Sequence, residues 1–168
     1  ATRKASMQHL AELGQQRLQA LFHRGVTSVE VKSGYGLSIE HEDKILSAIQ
    51  SLIPKTPMRI SPTFLGAHTI PKEFRSKRSE YLSQIIEEQI PLCAPKARFI
   101  DVYCDRGAFD LDESIAILEA GRAHGLGIKA HSEQVIHTGI SSAAAKLGAV
   151  SVEHLERATE TDCANLAT

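Results

Sequence analysis

Two histidines carry the most legible chemistry in this chain. Residues 126–134 read LGIKAHSEQ and residues 149–156 read AVSVEHLE. Each is a short apolar segment that follows a glycine turn and contains a histidine near its end, the pattern of a buried strand delivering an imidazole at its C-terminal end. In parallel α/β sheets and barrels the strand C-termini face the binding crevice, so His131 and His154 are expected at one mouth. Neutral imidazole is the commonest metal ligand and a ready acid–base group. Glu133 and Gln134 lie within three residues of His131, where an acid and an amide can add proton transfer and hydrogen bonding.

Two further residues sit where loops should leave other strands. Tyr35 lies in KSGYG at 32–36 and His68 closes GAH at 66–68. KSGYG has the position of a glycine-rich phosphate turn but lacks the third glycine and the GK[ST] ending of the known fingerprints. Its glycines more simply permit a tight turn that aims Tyr35 across the strand ends. On spacing alone Tyr35 reads as a core or rim aromatic, and His68 as a solvated loop group. There is no GxSxG elbow and no catalytic cysteine pattern, so a covalent acyl-enzyme is not expected.

The elements that must position these residues alternate helix and strand. Leu10, Leu13, Leu18, Leu21 and Phe22 form one helical stripe that stops at Gly25. A strand is predicted at 27–32 (TSVEVK), then a helix capped by Ser38 with Glu40, Glu42 and Asp43 in its first turn, ended by Pro54. The second strand, at 58–64, contains Pro62, which should end it or bulge it. A helix marked by Tyr81, Ile85 and Ile90 is expected to terminate at Pro91, before a third strand at 98–104. Asp110 and Glu113 suit a capping box, Thr138 a helix cap, and Thr159 the start of a last helix. Strands joined through helices at intervals of about 25 to 40 residues are βαβ units, which require a parallel sheet. Alternation then sets the register. If His131 faces the mouth, Lys129 points inward with Glu30, Lys32 and Asp101, while Val29, Val31, Ile128 and Ala130 face the helices.

Composition narrows the function classes. At 168 residues, 42% hydrophobic and 23% charged, the chain can bury one core. A formal net charge of −1 gives no basic footprint for nucleic acid or anionic lipid. No apolar run reaches membrane-spanning length and no signal-peptide pattern is present, so a cytoplasmic location is expected. Cys93, Cys104 and Cys163 show no CxxC spacing, which argues against both a disulfide framework and a zinc knuckle.

Five stretches together resemble one family. EVKSGYGL (30–37), TFLGAH (63–68), DVYCDRGAF (101–109), KAHSEQ (129–134) and EHLE (153–156) are similar, in order, to motifs of the imidazolonepropionases of the amidohydrolase superfamily. The resemblance implies an α/β fold, with the chain forming about strands 2–6 of a TIM-like (β/α)₈ barrel. It implies a single zinc or iron ion, a small-molecule substrate, 4-imidazolone-5-propanoate, and hydrolysis of its cyclic amide to N-formimidoyl-L-glutamate. Carried over residue by residue, it makes His131 a metal ligand, His154 a group near the metal-bound water, and Tyr35, His68 and Gln134 substrate contacts. Related enzymes carry Glu or Gln where Gln134 stands and the nearest acid here is Glu133, so which of Glu133, Gln134 and His154 moves protons stays open.

The family's first-strand HxH pair, the arginine after it and the eighth-strand aspartate have no counterpart in these residues. A complete barrel needs roughly 200 to 250 residues. Residues 1–168 are therefore expected to be a partial barrel domain, inactive alone, and the oligomeric state stays open, a homodimer included. Two other readings remain: an anion-binding α/β module using the glycine turn, and a non-catalytic half-barrel.

Overall fold

The computed structural model describes residues 1–167. Five strands, β1 (Ser28–Lys32), β2 (Arg59–Ala67), β3 (Phe99–Val102), β4 (Gly127–Ser132) and β5 (Ser151–His154), form one parallel sheet in the order 1-2-3-4-5. Helices α1 (Met7–Phe22), α2 (Ile39–Leu52), α3 (Arg78–Gln84), α4 (Ile90–Cys93), α5 (Leu111–Ala123), α6 (Ile140–Lys146) and α7 (Glu160–Leu166) punctuate it. Consecutive order with helical crossovers is the topology of a barrel wall. Curvature is visible in side chains. A flat sheet would separate β1 from β5 by four strand spacings of about 4.8 Å, yet Lys32 on β1 reaches Glu153 on β5 at 2.7 Å. The sheet is therefore curled into a half-barrel.

Alternation along the strands gives the wall its two faces. Ile100, Val102, Ile128 and Ala130 are buried against the helices, where Leu46, Tyr81, Ile85, Ile117 and Leu118 complete the core. Val29 and Val31 pack against the same core. On the concave face lie Glu30, Lys32, Thr63, Asp101, Lys129 and His131, joined by ion pairs and hydrogen bonds. The expected inward register is thus the observed one.

Three punctuation marks behave differently from their sequence reading. Pro62 neither ends nor bulges β2; the strand runs on to Ala67, and its irregularity falls between Phe64 and Ala67. In a parallel ladder the missing Pro62 N–H would face Lys96 O, ahead of β3, and that carbonyl instead accepts Gln50 Nε2 at 2.7 Å. The ladder loses nothing, and Pro62 O still accepts Arg98 N at 2.8 Å. Pro91 likewise does not stop its helix. A π-helical turn at Ile85–Gln89 leads into α4 across the proline, and its wider i→i+5 bonding relieves the clash a proline makes in an α-helix. At α6 the cap position is Gly139, left-handed at φ 82°, and not Thr138. By contrast, the Asp110/Glu113 capping box forms as expected, and Thr159 with Asp162 makes a second.

Candidate active-site mouth

The site begins with Asp101. Its carboxylate is fully buried on β3, and its oxygens lie 3.0 and 3.1 Å from Nδ1 of His131 on β4. One oxygen also accepts Lys32 Nζ at 2.7 Å. A carboxylate at Nδ1 fixes the proton there and leaves Nε2 with its lone pair facing the mouth, the state a metal ligand needs. Burial pushes the Asp101 carboxyl up, but the hydrogen bond from His131 and the charge and hydrogen bond of Lys32 outweigh it and hold the group below the usual carboxylate range. Burial also lowers the Lys32 ammonium, and Asp101, Glu153 and Glu30 together reverse that and raise it. Lys32 is the hub: it meets both Glu153 oxygens at 2.7 Å and Glu30 at 3.6 Å, while Lys129 meets Glu30 at 3.0 Å.

Asp101, His131 and Glu153 can bring three ligand atoms within 4.8 Å of one another. The chemistry of the set is unequal. Asp101 is engaged by His131 and Lys32, and Glu153, although 3.8 Å from His131 Nε2, is paired with Lys32. His131 Nε2 is the donor best presented to an ion. Catalytic zinc generally takes three protein ligands, so these residues suit part of a metal site.

Above this layer, five rings line the strand ends. His68 stacks edge-on to Tyr35 at 5.3 Å and to Tyr103 at 6.2 Å; His131 lies 6.4 Å from His68, 5.9 Å from Tyr103 and 5.3 Å from His154. The expected residues Tyr35, His68, His131 and His154 are thus brought to one mouth, with Tyr35 the most exposed at 66%. His154 arrives by an unusual route. Register pairs His131 with Glu153 and Ser132 with His154, so alternation alone would turn His154 toward the helices. The left-handed backbone at His154 (φ 79°) and Leu155 (φ 70°) accompanies its ring's return to His131. Strain of this kind, about 1–3 kcal/mol per residue, clusters at functional sites.

Glu133 and Gln134 part company. Glu133 is fully buried, left-handed at φ 54°, and its carboxylate accepts Thr138 N at 2.6 Å, Gly139 N at 3.0 Å and Ser141 N at 3.3 Å. It tethers the first turn of α6. Gln134 is half-buried on the loop between β4 and α6, whose Val135 and Ile136 N–H groups donate to the buried Asp105 at 2.8 and 3.3 Å. Sequence reasoning had no role for Asp105, Glu153 or Tyr103. Alternation in SVEH places Glu153 on the face of Ser151, and that signal was available.

The glycine turn is filled from within. Glu42, fully buried in the first turn of α2, accepts Gly34 N, Gly36 N and Leu37 N, each at 2.7 Å. The donors that a bound anion would use are taken by the chain's own carboxylate. Ser38 stands at the cap of α2 but bonds His41 Nδ1 at 2.7 Å through its hydroxyl, without a side-chain cap bond. The three cysteines are free, with Cys93 and Cys104 buried, and among the described residues no helix is long and apolar enough to cross a membrane.

The chain is 45% identical over 170 aligned residues to an imidazolonepropionase from Symbiobacterium thermophilum, covering 99% of this chain and 40% of that protein. It is 44% identical to imidazolonepropionases from Alkaliphilus oremlandii, covering 96% and 39%, and from Geobacillus kaustophilus, covering 95% and 38%. The chain therefore spans about 40% of the length of the curated relatives it matches. No protein-family model matches it.

Proposed function

Because the chain is homologous to imidazolonepropionases along nearly its whole length, we propose that it forms about strands 2–6 of a (β/α)₈ barrel that hydrolyses the ring amide of 4-imidazolone-5-propanoate. The product is N-formimidoyl-L-glutamate, and the substrate is a small molecule handled in the cytoplasm. The observation that carries the reading is the Asp101–His131 pair beneath a ring-lined mouth.

In this reading His131 Nε2 is one ligand of a single zinc or iron ion, with the remaining ligands supplied by residues outside this chain. Such an ion would supply Lewis acidity to the ring carbonyl and would make water a better nucleophile near neutral pH. Residues of this chain do the rest. Asp101 holds the His131 tautomer. His154, 5.3 Å ring to ring from His131, takes and returns the proton at the reacting centre. Tyr35 and His68 hold the ring and propionate, and Gln134 borders the ring. Glu133, tethered to α6, fixes the loop that carries Gln134 and is the weaker candidate for proton transfer.

The test uses the full-length enzyme. His131→Ala should abolish both metal content and hydrolysis, whereas His154→Ala should keep metal and lose turnover by about 10²–10⁴-fold. Retention of stoichiometric metal and activity in His131→Ala would refute the assignment.

A further inference from the structure

We propose that Glu42 is a positioning residue for substrate recognition, a single buried carboxylate that sets both Tyr35 and His68. The inference rests on the reading above, in which those two rings meet the substrate.

Tyr35 is exposed, so apart from its edge-on contact with His68 its place is set by its backbone. The N–H groups of Gly34, Gly36 and Leu37, which bracket Tyr35, all donate to Glu42 at 2.7 Å. Bonds to an ionised acceptor are the stronger class, and the N-terminal turn of α2 favours the negative charge. The same peptide segment then reaches His68. Gly34 O lies 3.0 Å from His68 Nδ1, and because a carbonyl only accepts, Nδ1 donates and Nε2 is left for the mouth. Gly34 thus connects Glu42 on its N–H side with His68 on its carbonyl side.

The loop needs such holding. Gly34 is left-handed at φ 97°, and Leu37 at φ 53° is left-handed without being glycine. A Cβ at Gly36 would fall 2.8 Å from Glu42 N and 2.6 Å from His41 C, so only glycine allows the turn to close on α2. Arg3 clamps the other side, donating from Nε to Gly36 O at 2.6 Å and from Nη2 to Leu37 O at 3.2 Å. Glu42 is the inner half of that clamp, and it acts on substrate only through the two rings.

Steady-state kinetics on the full-length, metal-loaded enzyme with imidazolonepropionate test this. Glu42→Gln should raise KM about tenfold or more, with metal content unchanged and kcat less affected. In a Tyr35→Phe/His68→Ala background the same substitution should change KM less than about twofold, because its targets are gone. Glu42→Asp, which keeps the charge but withdraws it by one methylene, should show the same dependence on background if Glu42→Gln fails to fold. An equal rise in KM in both backgrounds, or none in the wild type, overturns the inference while leaving the site reading intact. Unchanged KM and kcat in both Tyr35→Phe and His68→Ala overturns the site reading, and the inference with it.

Discussion

The buried Asp101 carboxylate and the half-buried His131 imidazole form a pair, 3.0 Å apart at Nδ1, that joins β3 to β4 below the mouth. A histidine held this way presents one tautomer and one orientation, which raises its value as a ligand. Asp101→Asn keeps the shape, removes the charge and lets the amide donate or accept. In the full-length enzyme it should weaken metal affinity about 10- to 100-fold, read by competition against a chelator. An affinity equal to wild type would show that His131 needs no such partner.

Lys32 is the cation that lets Glu30, Asp101 and Glu153 share one interior. Its side chain keeps 19% exposure, so the cost of losing it lies toward the lower end of the range for breaking a buried pair. Lys32→Met should destabilise the protein by about 3 kcal/mol, measured by denaturant unfolding of the full-length protein. A loss under about 1 kcal/mol would mean that water or rearranged Lys129 neutralises the three acids.

How far the sequence reaches is clear from particular residues. Period-two alternation placed Lys129, Glu30, Lys32 and Asp101 on the concave face, because one shared parity governs each strand. Pro62 and Pro91 misled as stop signals, since whether a missing N–H matters depends on what stands opposite, and that is tertiary information. His154 reaches the mouth against parity, through a left-handed backbone that no composition rule marks at a histidine. Glu42 read as an ordinary acid in a helix's first turn; its reach back into the preceding loop depends on a fold the sequence only outlines. Glu133 and Gln134, adjacent in sequence, occupy different environments for the same reason.

Asp162 predicts a pH dependence away from the mouth. Burial pushes its carboxyl up, but hydrogen bonds from Ser142, Thr159 and His137 outweigh that and hold it well below the usual carboxylate range. With a depressed folded-state pKa, its contribution is complete above the unfolded value of about 3.9 and is lost as pH falls toward the folded one. Asp162→Asn should therefore be less stable than wild type at neutral pH, with the gap narrowing below about pH 4. A gap that stays constant from pH 7 to pH 3 would remove the carboxylate's charge from the account.

Two glycines separate close approach from backbone handedness. Gly36 has no positive φ, but a Cβ there would lie 2.6 to 2.8 Å from the backbone and Cβ of His41 and the amide of Glu42. Gly148, just after α6, is left-handed at φ 78° with open space around it. Gly148→Ala should cost about 1–2 kcal/mol of stability from handedness alone and leave kinetics unchanged, because it precedes β5, at the end of the sheet opposite the strand C-termini that form the mouth. Gly36→Ala should cost about 1–3 kcal/mol from overpacking and also raise KM, because the displaced segment carries Tyr35 and breaks the geometry at Glu42. Unfolding curves and steady-state kinetics on the two full-length variants distinguish them. Equal kinetics for both, with KM at the wild-type value, would show that the turn can yield without moving the ring that it carries.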